Sequence, residues 1–171
     1  GAVGGRPYRF LLDTGAAVSG VAHDAYTAGF ASVGTNSSSG VFAPISDVLI
    51  TVPSLSIGPV TWHNVTLART SPGPSAKNLI GMDLLKDFCC HFFFDDARLV
   101  MTGDAAPENR YAFEPLVMDR RFHPYIDVAF GGVQASTVWD TGASLSVVDT
   151  GFVARQPAFF EAVGVSLGTD A

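Results

Sequence analysis

The sequence writes Asp-Thr-Gly-Ala twice, at residues 13–16 and again at residues 140–143. Each copy closes an apolar run, Phe10-Leu11-Leu12 in the first and Thr137-Val138-Trp139 in the second. A lone Asp-Thr-Gly says little, because at ordinary residue frequencies it arises by chance in about a few of every hundred chains this long. The duplication extends well beyond the tripeptide. "AVGGRPYRFLLDTGAAVSGV" at residues 2–21 lies without a gap on "AFGGVQASTVWDTGASLSVV" at residues 129–148. Both copies hold Gly-Gly ahead of the Asp, and Gly-Gly between strand-like runs signals a two-residue hairpin. Each copy therefore predicts a hairpin, a strand and a tight turn that carries an aspartate. A bare scaffold duplication has no need to place a carboxylate at the end of an apolar strand.

Between the copies, Val, Ile, Phe and Thr alternate with Gly, Pro and Ser, the composition of strands and turns. "VGTNSSSGVFAPISDVLITV", residues 33–52, predicts a hairpin with a Gly/Ser/Asn tip. Further strands are expected around residues 55–57 and 65–68, ahead of a Pro/Gly loop. "NLIGMDLLKDF", residues 78–88, predicts an apolar pair, a glycine and one or two helical turns. "CCHFFFDDARLVM", residues 89–101, reads as a hairpin turning at Asp95-Asp96, and "TGDAAPENR", residues 102–110, as a linker. These spacings predict one complete lobe over 1–104, a connection over 105–120 and the start of a second lobe over 121–171. Residues 141–171 contain no second "NLIGMDLL" and no second Gly/Ser-rich hairpin. Truncation of the second lobe at Ala171 is the expectation.

Two carboxylates on symmetry-related turns can meet where the lobes join. At a separation of ~3 Å in a half-buried site both cannot remain ionised, so they share one proton. The ionised partner can then take a proton from water while the protonated one hydrogen-bonds a carbonyl, which is general acid–base hydrolysis. Thr supplies a short hydroxyl able to bond across the junction, and Gly lets the backbone turn closely against a carboxylate. This chemistry requires no metal and no cofactor. The four histidines show no His-x-His or His-Glu-x-x-His spacing, so no metal site is expected. Ser19, Ser144 and Ser146 lack a Gly-x-Ser-x-Gly setting, which argues against a serine nucleophile.

The paired Asp-Thr-Gly-Ala motifs, together with Leu79-Ile80-Gly81 in "LIGMDLL", resemble the retropepsin and pepsin-like aspartic protease superfamily. The resemblance covers residues 2–101 and again 125–148. It implies an all-β, pepsin/retropepsin-like acid protease barrel, complete in the first lobe and begun in a pseudo-symmetric second. It implies an aspartic endopeptidase in which Asp13 and Asp140 activate water and Thr14 and Thr141 brace the lobes across their junction. Gly15 and Gly142 would complete the two turns, and Ile80-Gly81 would pass behind the first. Ser39 and Gly40 would lie near the tip of a flap covering an extended peptide substrate. The family often carries a hydroxyl two residues after the motif's glycine. Ser144 fits that place in the second copy, whereas Ala17 occupies it in the first.

Two other readings stand beside the two-lobe enzyme. One is a peptide-binding module with this fold and no cleavage. The other is a homodimer that pairs Asp13 with Asp13 and leaves Asp140 idle. A net charge of −6 and a pI near 4.9 provide no basic surface for nucleic acid. No apolar run reaches the length of a membrane span. Adjacent Cys89 and Cys90 would point to opposite faces of a strand and are expected as free thiols, so they declare no redox compartment. The compartment stays open, with secretion or a periplasmic location the preferred reading.

Overall fold

The first Gly-Gly turn organises the start of the fold. Gly4 and Gly5 have φ of +54° and +80°, the left-handed pair that a two-residue hairpin turn with native twist demands. They join β1 (Ala2–Val3) to β2 (Arg6–Pro7). The structure, a computed structural model, describes residues 1–39, 44–73, 76–103, 116–130 and 132–163.

Next come β3 (Leu11–Leu12), the first Asp-Thr-Gly turn, β4 (Gly20–Ala22) and a single 3-10 turn at Thr27–Gly29. The long antiparallel strands β5 (Ser32–Ser39), β6 (Pro44–Ile57) and β7 (Val60–Thr70) follow, then β8 (Leu79–Ile80) and the one-turn helix α1 (Met82–Leu85). Among the described residues these strands form one sheet ordered β2-β1-β6-β7-β4-β8-β3, with β5 pairing β6 on the same edge as β1. The pairings β3–β8 and β4–β7 are parallel, so each joins segments far apart in sequence. The sheet curls into a half-barrel whose filling is Val3, Val21, Ile50, Val52, Leu55, Leu67 and Ile80, closed by Met82, Leu84 and Leu85 of α1. The expected all-β acid-protease fold is the one observed.

The strands β6 and β7 are much longer than the short segments the sequence suggested. Pro53 interrupts the apolar pattern, yet the ladder continues past it from Val52–Val65 to Ser54–His63. Pro53 lacks only its own N–H, and its exposed position opposite Asn64, which takes φ +52°, lets the flanking bonds persist.

Strands β9 (Cys89–Phe93) and β10 (Arg98–Thr102) form the hairpin expected at residues 89–101. Cys89 and Cys90 are both free. Then β11 (Val117–Met118), β12 (Pro124–Phe130) and β13 (Val133–Val138) make a separate three-stranded sheet that carries the second motif. Gly132, at φ +83°, turns its hairpin. Residue 131 and most of the expected connection lie outside the described residues. Two short helices, α2 (Thr150–Arg155) and α3 (Pro157–Val163), end the described chain. The strand-and-turn reading assigned no element there. Asp149 caps α2 by accepting a bond from the Phe152 N–H at 2.8 Å. Among the described residues no helix is long and apolar enough to cross a membrane.

Candidate active site

Each Asp-Thr-Gly turn folds around its own carboxylate. Oδ1 of Asp13 accepts the Gly15 N–H at 3.0 Å, and Oδ1 of Asp140 accepts the Gly142 N–H at 2.8 Å and the Ala143 N–H at 3.1 Å. Such local bonds suit Asp at a tight turn. They fix each side chain in the direction its turn presents.

The two turns are joined by reciprocal hydrogen bonds of their threonines. The Thr14 N–H donates to Thr141 Oγ1 at 3.1 Å, and the Thr141 N–H donates to Thr14 Oγ1 at 3.0 Å. The Thr14 hydroxyl donates to the carbonyl of Trp139, and the Thr141 hydroxyl to the carbonyl of Leu12 at 2.8 Å. Each acceptor carbonyl belongs to the residue just before the opposite aspartate. Thr14 is only 4% exposed, so both of its hydroxyl contacts are shielded from competing water. The ring of Phe92 on β9 meets the edge of Trp139 at a centroid distance of 5.6 Å, adding an apolar contact at the same junction.

The junction leaves each carboxyl resting on the other turn's glycine. A Cβ placed on Gly15 would collide with the carboxyl of Asp140, and one on Gly142 with the carboxyl of Asp13. The Asp13 and Asp140 carboxyls therefore lie next to each other across the junction. Burial pushes the Asp13 carboxyl up to about 6, and the neighbouring Asp140 charge pushes in the same direction.

The first turn has a second support from its own lobe. The Asp13 N–H donates to the Ile80 carbonyl at 2.9 Å and the Leu11 N–H to the Asn78 carbonyl at 2.9 Å, while the Met82 N–H donates to Ala16 O at 2.8 Å. Gly81 passes so close that a Cβ there would lie 2.6 Å from Ala16 O. Ser19 and Asp83 add side-chain bonds between the same segments.

The other sequence-derived candidates are placed less centrally. Ser144 is exposed and makes no hydrogen bond to Asp140 among the described residues; the backbone of Ala143 contacts that carboxylate instead. Ser39 closes β5 in register with Pro44, and Gly40 lies outside the described residues. Among the described residues no three His, Cys, Asp or Glu stand together as a metal-binding group.

Sequence reasoning missed the carbonyls of Leu12 and Trp139 as acceptors, because backbone groups leave no mark in a motif. It also weighed Ser19 only as a nucleophile and passed over Asp83; their pairing spans 64 residues. The position of Ser19 just beyond the motif, and of Asp83 just beyond Ile80-Gly81, was the available signal.

Residues 1–84 match the family model described as aspartyl protease. Comparison with curated proteins and with solved structures found no match. Through residues 1–84, with their barrel strands, their Asp-Thr-Gly turn and the Ile80-Gly81 segment behind it, this chain belongs to the aspartic protease superfamily.

Proposed function

We propose that the chain is an aspartic endopeptidase whose reacting groups are Asp13 and Asp140. The observation that carries this reading is the crossed arrangement in which each carboxyl lies on the opposite motif's glycine. In the acid range the pair holds one proton, drawn to Asp13 by its burial and by the Asp140 charge. Asp140 then takes a proton from water as that water attacks the peptide carbonyl. Asp13 donates its own proton to the carbonyl oxygen, giving a tetrahedral diol. Return of a proton to the leaving nitrogen breaks the C–N bond. No covalent intermediate forms, and the bound proton is restored to the pair.

The substrate is an extended peptide that pairs its main chain with the β5–β6 hairpin, whose tip would carry Ser39 and Gly40. Thr14 and Thr141 keep the lobes in register, and Gly15 and Gly142 admit the opposite carboxyls. Lobe boundaries at 1–104 and 121–171, with 105–120 between them, belong to the same reading. A homodimer built on Asp13 alone would have to expel Asp140 from the place it occupies. The binding-module reading draws on one observation: the second lobe leaves apolar residues such as Leu145 and Val147 exposed, at 76% and 61%.

The test is cleavage of an unfolded protein substrate from pH 3 to 7, comparing the parent with Asp13→Asn and Asp140→Asn. A bell-shaped profile abolished by either substitution supports the proposal. Loss with Asp13→Asn alone supports the homodimer, and a folded parent without cleavage at any pH supports the binding module.

A further inference from the structure

We propose that Ser19 and Asp83 form a positioning clamp that holds the Asp13 turn against Asp140. The proposal rests on the protease reading above, and its test separates the two. Ser19 lies six residues beyond Asp13 and is fully buried. Its N–H and its hydroxyl both donate to Oδ1 of Asp83, at 2.9 and 2.6 Å. The same hydroxyl oxygen accepts the Gly81 N–H at 2.9 Å, and Oδ1 of Asp83 also accepts the Leu84 N–H at 3.1 Å.

The chain from Asp13 to Ser19 is thereby fastened to the segment from Ile80 to Asp83 at three places. The first two are backbone bonds, Asp13 N–H to Ile80 O and Met82 N–H to Ala16 O. Only the third depends on side chains. Ser19 O also accepts the Ala68 N–H at 2.9 Å, and Gly20 pairs with Leu79. Loss of the third fastening therefore leaves the far end of the turn in the sheet but loosens it from the Gly81–Asp83 segment, and the Asp13 carboxyl shifts with it. A displacement near 1 Å at a reacting group costs on the order of a hundredfold in rate.

The second copy supplies an internal control. Ser146 stands where Ser19 stands in the alignment, yet it is exposed and makes no hydrogen bond among the described residues. A serine at this place is therefore not sufficient; the acidic partner from the Ile80-Gly81 segment completes the clamp.

All hydrogen bonds to the Asp83 side chain among the described residues go to Oδ1. Asn retains that oxygen and loses the charge, so acceptor and charge can be separated. Ser19→Ala and Asp83→Ala should lower kcat by about tenfold to a hundredfold with KM within about twofold. Asp83→Asn should keep kcat within about threefold of the parent. In the alanine variants the alkaline limb of the pH profile should move to lower pH, because an Asp13 displaced from its burial and from Asp140 loses its proton more readily.

Folding of each variant is checked by thermal unfolding. If Asp83→Ala does not fold, Ser19→Ala, which removes one oxygen and keeps the backbone bond to Asp83, decides alone. A folded Ser19→Ala with unchanged kcat and pH limb overturns the clamp. So does an Asp83→Asn as impaired as Asp83→Ala, or failure of both alanine variants to fold. If the parent itself does not cleave, the protease reading fails and the clamp is read by 13C titration of the Asp13 carboxyl, assigned with Asp13→Asn. A lower midpoint in Ser19→Ala supports the clamp, and an unmoved midpoint overturns it.

Discussion

The two copies of the repeat share a gapless alignment and differ in what surrounds them. The first sits on an eight-stranded sheet and supplies part of a continuous core running from Val3 to Leu85. The second sits on three strands, and among its described residues Pro124 alone is buried. Val117, Leu145 and Val147 are 64%, 76% and 61% exposed. Yet both aspartates reach equivalent positions. Asp13 is held by its own lobe through Ile80 and by the threonines; among the described residues, Asp140 has the threonines and no counterpart of Ile80. One motif can therefore be fixed by a core and its twin by docking onto the first.

The sharpest way to break the comparison is to remove one carboxyl at a time. In the proposed mechanism the two carboxyls share one proton, so Asp13→Asn and Asp140→Asn should each lower kcat/KM by about a thousandfold or more. Substantial cleavage by Asp140→Asn would show that the second lobe is idle. Gly142→Ala comes next. Its new Cβ would push the Asp13 carboxyl aside, with an expected loss of about a hundredfold in kcat while the first-lobe core stays intact. Circular dichroism alongside kinetics checks that separation.

Thr14→Val tests the joint itself. It leaves the Trp139 carbonyl and the Thr141 N–H without their partner and should cost about 2–4 kcal/mol in denaturant unfolding. Thr141→Val added to Thr14→Val should cost far less than it does alone, since the joint is already open. Full additivity would mean that the two threonines do not act as one unit.

Hydrogen exchange compares the lobes without mutation. Amides of Ile50, Val52 and Leu67 should exchange at least about tenfold more slowly than those of β12 and β13, because only the former lie in a shared core. Equal protection would refute the asymmetry.

The smallest expected effect is on stability against pH. Unfolded, the Asp13 carboxyl ionises near 3.8; folded, it ionises only near 6. The unfolded chain thus loses its proton first, and the fold is progressively disfavoured as pH rises between those values. Asp13→Asn should therefore melt a few degrees above the parent at pH 7 and show no such advantage at pH 3. The carboxyl is only half-buried, so solvent moderates the gain.

Much of this arrangement was legible in the sequence because it is local. Gly4-Gly5 sets a turn by its own backbone preference, Asp13 and Asp140 bond N–H groups two residues on, and Gly81 followed by Met82, Leu84 and Leu85 sets a one-turn helix with a buried side. What escaped was set by distance. Ser19 finds Asp83 only after β3 has paired with β8, and the Leu12 and Trp139 carbonyls become acceptors only when two turns meet. The strand β6 runs on through Pro53 because a missing N–H matters only where that group would have faced a neighbour. Ser144 was selected by the family resemblance, but the direction of its side chain depends on how the second lobe packs.

The threonine joint has a consequence for the medium in which the protein works. It is built from two hydroxyls and backbone groups, with no ionised partner. Added salt screens attraction between charges and has little hold on such bonds. Acid that protonates carboxylates leaves hydroxyls and peptide groups as they were. The aspartates can therefore gain and lose their proton, and the ionic strength can vary widely, while the hinge between them stays shut.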